Sequence, residues 1–193
     1  MKAALYVDLK RCIGCNSCSV ACKQEYNVPA GNKWMEVYGA EKEDYPRPSV
    51  QVLPMTCQQC EDAPCKKKCD ELGYLAIKRR PDGIVYVDPQ RCVGCQKCIP
   101  VCPYKVMNFN AAKKVAEKCN FCMERLDAGK LPACVVTCVG VTLEFGDYDA
   151  LKLKYPKAEG MGDHVRVLYG RLGDEPEHPT SGYPDPVPFH EDD

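Results

Sequence analysis

Sixteen cysteines stand in four groups of four, and any fold of this 193-residue chain must be built around them. The groups are Cys12, Cys15, Cys18 and Cys22; Cys57, Cys60, Cys65 and Cys69; Cys92, Cys95, Cys98 and Cys102; and Cys119, Cys122, Cys134 and Cys138. Every group opens C-x2-C and closes C-x3-C. The first and third are also alike around the thiols, VDLKRCIGCNSC against VDPQRCVGCQKC, which marks an internal duplication.

Three thiols at i, i+3 and i+6 on a tight loop can face one concave pocket. Gly14 and Gly94 let the backbone bend closely around a bulky core. A fourth cysteine four residues on falls at the start of a helix and points elsewhere. In two-cluster ferredoxins of the C-x2-C-x2-C-x3-C-P type that thiol ligates the neighbouring cluster, and here Pro103 follows Cys102. Four [4Fe–4S] clusters therefore use all sixteen thiols as iron ligands. Zinc ribbons pair two C-x2-C knuckles per ion, whereas three thiols in seven residues crowd a single small metal. Disulfides fit poorly too, because cysteines three apart on a tight turn rarely bridge well. The start, MKAALYVDLKRC, has neither an apolar h-region nor a cleavage site.

The remaining composition sharpens this reading. Aromatic residues make up only 8%, so a large conventional core is not expected and bound clusters must help to hold the fold. Basic and acidic residues balance, 26 against 27, which offers nothing to nucleic acid. The longest uncharged apolar run, near 133–143, is too short to span a bilayer.

Local patterns predict an α+β chain. Residues 4–9 read as an alternating strand, 50–54 as a strand, and 75–79 with 84–88 as a hairpin turning at Pro81-Asp82-Gly83. Helices are expected at 17–24 and 121–128, the latter capped by Gly129. Trp34, in an insertion over 27–48, is expected to cover a cluster, and Tyr104 to pack against one. From Gly173 the chain turns proline-rich, which suits a flexible tail or an extended arm laid on another subunit by Tyr183, Val187 and Phe189. His164, His178 and His190 form no haem or Rieske-type pair, and no nucleotide loop or nucleophile triad is visible, so no catalytic residue is assigned. Lys10, Arg11, Lys23, Lys66, Lys67, Lys68, Arg91, Lys97 and Lys118 are expected either to offset cluster charge or to form a docking rim.

The motifs CQQCEDAPC, CVGCQKCIPVCPY and CNFCMERLDAGKLPACVVTC resemble those of the iron–sulfur (beta) subunits of the dimethyl sulfoxide reductase family, over about residues 1–146. Hydrogenase and formate hydrogenlyase carriers usually have a shorter gap inside the fourth motif. The resemblance implies nested ligand sets: Cys12, Cys15, Cys18 and Cys138; Cys119, Cys122, Cys134 and Cys22; Cys57, Cys60, Cys65 and Cys102; Cys92, Cys95, Cys98 and Cys69. It implies two ferredoxin-like lobes, one from 1–26 with 113–146 and one from 49–112, followed by an extension over 147–193. No proline follows Cys22, Cys69 or Cys138, although relatives often carry one after the second and fourth groups, but every ligand is present.

The implied function is relay of single electrons in anaerobic respiration. The implied partners are a molybdenum or tungsten bis-pterin catalytic subunit and a membrane quinone subunit or soluble carrier. A free-standing polyferredoxin, or a hydrogenase-type carrier, is the alternative. The compartment stays open between the cytoplasm and the periplasm, since folded subunits can be co-exported on a partner's signal.

Overall fold

A computed structural model describes residues 1–42, 46 and 49–170. The sole sheet of more than two strands among them contains no cysteine. It is built from β1 (Ala3–Asp8), β8 (Leu143–Asp147) and β9 (Val167–Gly170), in the order β8-β1-β9. β1 pairs antiparallel with β8 (Leu5 opposite Phe145) and parallel with β9 (Leu5 opposite Val167). The alternating strand expected from sequence is present, and Ala3 to Val7 are all buried. The strand lies in the middle of its sheet with both faces covered. Ala3, Leu5 and Val7 join the largest core cluster, while Ala4 and Tyr6 pack with Leu151, Ala158 and Leu168. The ring of Tyr6 stacks on Tyr155 with centroids 3.7 Å apart.

Three two-stranded ribbons complete the β structure: β2 (Met35–Lys42) with β3 (Ser49–Thr56), β4 (Ile77–Arg79) with β5 (Val85–Val87), and β6 (Asn108–Asn110) with β7 (Val115–Glu117). The expected hairpin at 75–88 is present but shorter, because the left-handed Leu75 precedes it. The expected strand at 50–54 extends to 49–56 and pairs with the second half of the 27–48 insertion.

The helices are short. α1 (Ser17–Tyr26), α2 (Pro64–Glu71), α3 (Met123–Asp127) and α4 (Ala133–Val136) follow or carry cysteines. Pro64 sits in the first turn of α2, where a missing N–H costs nothing. Gly129, with φ +70°, donates its N–H to the Leu126 carbonyl and stops the chain after α3. α5 (Tyr148–Lys154) is capped by the Asp147 carboxylate, which accepts from the Asp149 and Ala150 N–H groups.

Two core clusters take in eleven of the sixteen cysteines. One gathers Cys18, Cys22, Cys119, Cys134 and Cys138 with Leu5, Val7, Trp34, Leu53 and Phe121. The other gathers Cys60, Cys65, Cys69, Cys92, Cys98 and Cys102 with Ile77, Val85 and Met107. Thiols thus supply much of the interior that a low aromatic content leaves short. Residues 147–170, assigned from sequence to the extension, are folded into α5 and β9. The proline-rich segment with His178, Tyr183, Val187, Phe189 and His190 lies outside the described residues. Among the described residues no helix is long and apolar enough to cross a membrane.

Candidate iron–sulfur centres

The loop that carries the first thiols of each group turns through the left-handed region, which swings successive thiols toward one hollow. Gly14 and Gly94 have φ of +68° and +71°, and Asn16 and Gln96 follow at +60° and +56°. The second and fourth groups manage the same turn without glycine, through Gln59 at +51° and through Phe121 and Cys122 at +54° and +53°. That conformation costs roughly 1–2 kcal/mol per non-glycine residue. At Gln59 the side chain offsets it: Nε2 donates to the Cys119 carbonyl at 2.8 Å and Oε1 accepts from the Val85 N–H at 2.7 Å.

The helices then carry the outlying thiols. Cys18 and Cys22 lie on α1, and Cys65 and Cys69 on α2, each pair four residues apart on one face. Four hollows result, every one lined by four cysteines. Cys12, Cys15, Cys18 and Cys138 line the first, with Ile13 and Thr142. Cys22, Cys119, Cys122 and Cys134 line the second, with Leu5 and Phe121. Cys57, Cys60, Cys65 and Cys102 line the third, with Tyr104 and Lys118. Cys69, Cys92, Cys95 and Cys98 line the fourth, with Val87 and Val93. Each takes three thiols from one group and one from another.

All sixteen cysteines are described, and none is bridged to another. Among the described residues no three Cys, His, Asp or Glu side chains converge closely enough to hold one metal ion. Thiols that face each other across a hollow suit a multi-atom core better than a single ion. The surroundings suit an anionic core as well. Backbone N–H groups of Ala76, Ala116, Phe121 and Thr142 point at the sulfurs of Cys69, Cys92, Cys119 and Cys138 over 3.2–3.4 Å. The Lys118 ammonium donates to Cys57 Sγ at 3.3 Å.

Burial pushes Cys18 and Cys60 up to about 11 and Cys65, Cys98 and Cys119 up to about 12. Cys22 is driven higher still, and Cys134 well above its ordinary value, by burial and by the thiols beside them. Burial also works on Cys138, but the Thr142 hydroxyl and nearby N–H groups outweigh it and bring that thiol below its ordinary value. Exposed Cys15 is lowered by hydrogen bonding with Ser17. Without iron the buried sulfurs are protonated at neutral pH, so binding a core displaces protons.

The other sequence candidates fall as follows. Trp34 is buried and stacks on Tyr26 at 4.6 Å, and the Tyr26 hydroxyl donates to Glu124 beside the fourth group. Tyr104 lines the third hollow, and burial next to Cys60 and Cys102 raises its hydroxyl to about 12. Of the nine cations, Lys66, Lys67 and Lys68 pair with Asp70, Asp62 and Glu71, and Arg11 reaches the Gly140 carbonyl. Lys118 alone of the nine is buried. Sequence reasoning overlooked Gln58 and Gln59, because a buried glutamine between two cysteines carries no pattern of its own, and Thr142, which lies beyond the last cysteine.

Comparison with known proteins decides the family. A model of the 4Fe-4S dicluster domain matches residues 48–148. The chain is 38% identical over 182 residues to a tetrathionate reductase subunit of Salmonella typhimurium, covering 86% of this chain and 71% of that protein. It is 41% identical over 150 residues to the thiosulfate reductase electron transfer subunit of Salmonella typhi, covering 76% and 77%.

The chain belongs to the iron–sulfur subunits of the dimethyl sulfoxide reductase family.

A third relative, the arsenate respiratory reductase iron-sulfur subunit of a Shewanella species, is 30% identical over 197 residues, 77% of this chain and 83% of its own. As a member of this family the chain is an electron-transfer subunit of a reductase, and its cofactors are [4Fe–4S] clusters.

Proposed function

We propose that this subunit carries four [4Fe–4S] clusters in two ferredoxin-like lobes and relays single electrons between a molybdenum or tungsten bis-pterin catalytic subunit and a quinone-linked or soluble redox partner. The observation that carries the reading is the lining of the four hollows, three thiols from one group and one from another. That lining supports the ligand sets Cys12, Cys15, Cys18 and Cys138; Cys22, Cys119, Cys122 and Cys134; Cys57, Cys60, Cys65 and Cys102; and Cys69, Cys92, Cys95 and Cys98. When bound, each cluster accepts and gives up one electron.

The protein's own part is spacing, insulation and charge. On α1, Cys18 faces the first hollow and Cys22 the second; on α2, Cys65 faces the third and Cys69 the fourth. Four residues of helix rise about 6 Å, so paired hollows are close neighbours. Gln59 and Lys118 tie the second hollow to the third through the Cys119 carbonyl. This supports a linear order, first to fourth, with the exposed Cys15 and Cys95 near its two ends. The names of these relatives, and of a selenate reductase subunit that the chain also resembles, favour an oxyanion of sulfur, arsenic or selenium as the catalytic partner's substrate.

Anaerobic purification of the native complex, followed by metal analysis, tests the reading. Molybdenum or tungsten co-purifying with the chain, and reduced clusters that re-oxidise on adding tetrathionate, thiosulfate, arsenate or selenate, are expected. A chain isolated alone, with no such metal, is the result expected of a free polyferredoxin and contradicts it.

A further inference from the structure

Three charged side chains are buried among the described residues: Glu117, Lys118 and Arg166. Glu117 is met by Lys113 at 3.1 Å and by the Asn110 amide at 3.0 Å. Arg166 is met by Glu61 at 2.8 Å. Among the described residues no carboxylate meets Lys118. Its three ammonium protons go instead to Cys57 Sγ at 3.3 Å, to the Cys119 carbonyl at 3.1 Å and to the Val85 carbonyl. A buried cation without a counter-charge is strongly disfavoured. The group that answers it must therefore be anionic and lie at Cys57, in the hollow that Lys118 helps to line.

We propose that Lys118 is a potential-setting residue: its ammonium is a fixed positive charge that makes the cluster held by Cys57, Cys60, Cys65 and Cys102 easier to reduce. The inference rests on the ligand sets proposed above. The physical reason is direct. Reduction adds one negative charge to the core, and a cation in a water-poor setting favours the more negative state far more than a surface lysine does. Lys118 also precedes Cys119, a thiol of the second hollow, so the charge sits where the order of hollows crosses from one pair to the other. It therefore favours an electron resting on the third site, beside that crossing. Removing it lowers the midpoint of one cluster and leaves the outer ones nearly unmoved.

The test is an anaerobic redox titration, followed by paramagnetic resonance, on the full chain with its clusters. Wild type, Lys118→Met and Lys118→Arg are compared, and a Cys57→Ser variant identifies the signal of the third site. Lys118→Met is expected to cut the reduced-to-oxidised ratio of that signal at least tenfold at fixed potential, about 59 mV for one electron. Lys118→Arg is expected to restore most of it. If Lys118→Met loses iron, Lys118→Gln, which keeps an N–H donor without the charge, carries the same test. A neutral variant with full iron and an unmoved signal, or a shift confined to another signal, overturns the inference and leaves the ligand sets standing. Wild-type chain lacking four clusters refutes the ligand sets, and the inference with them.

Discussion

The loops RCIGCNSC (11–18) and RCVGCQKC (91–98) are near copies in sequence and in conformation, yet the chain leaves them differently. In both, an aspartate starts the turn: Asp8 accepts from the Lys10 and Arg11 N–H groups, and Asp88 from the Gln90 N–H. In both, the first thiol is half-buried, the second exposed and the third buried. From Ser17 the chain runs as the ten-residue α1 through Cys18 to Tyr26. After Cys98 it meets Pro100 and Pro103 and proceeds by turns, with Cys102 donating its N–H to the Ile99 carbonyl. Cys22 and Cys102 nevertheless both reach a hollow belonging to another group. The grip on a core is thus a property of the loop. The hand-over of the fourth thiol needs only a chain that turns back within four residues.

The largest test of this comparison is removal of iron. Anaerobic chelation should abolish amide-exchange protection throughout α2 and β4–β7, whose short elements frame the second and third groups. The cysteine-free sheet of β1, β8 and β9 should keep measurable protection. Equal loss in both regions would contradict this expectation.

Next in size are the two loop glycines. A Cβ on Gly94 would lie 2.4 Å from the Lys114 carbonyl oxygen, whereas one on Gly14 would meet only the Val52 side chain, at 3.4 Å. Gly14→Ala should cost about 1–2 kcal/mol for its left-handed backbone and keep its iron. Gly94→Ala should cost more, because backbone cannot yield as a side chain does, and should lose about four irons per chain. Iron analysis and chemical unfolding distinguish the two.

Smaller still is the residue that closes each turn. Asn16→Ala and Gln96→Ala should each destabilise the chain by at most about 1 kcal/mol, and Gln96→Asn should stabilise it slightly, since asparagine tolerates φ above zero better. Unfolding midpoints measure this. Smallest are the exchanges Ile13→Val and Val93→Ile at exposed positions, expected to stay within about 0.5 kcal/mol.

What the sequence made legible follows from what repeats. The tetrads, the bend at Gly14 and Gly94 and the helix after Cys18 were readable because spacing and backbone freedom leave a local mark. The burial of both faces of β1 was not, since it depends on β8 and β9 from the far end of the chain. Gln59 and Phe121 turn as glycine does without being glycine, so composition hides them. Lys118 looked like any of nine cations, and only its placement between Cys57 and Cys119 separates it.

Native mass spectrometry of the anaerobically purified chain tests the central claim most directly. Four hollows of four thiols predict a single dominant species heavier than the polypeptide by four cubane clusters. A dominant species carrying fewer clusters, zinc ions, or pairs of hydrogens lost to disulfides would contradict it.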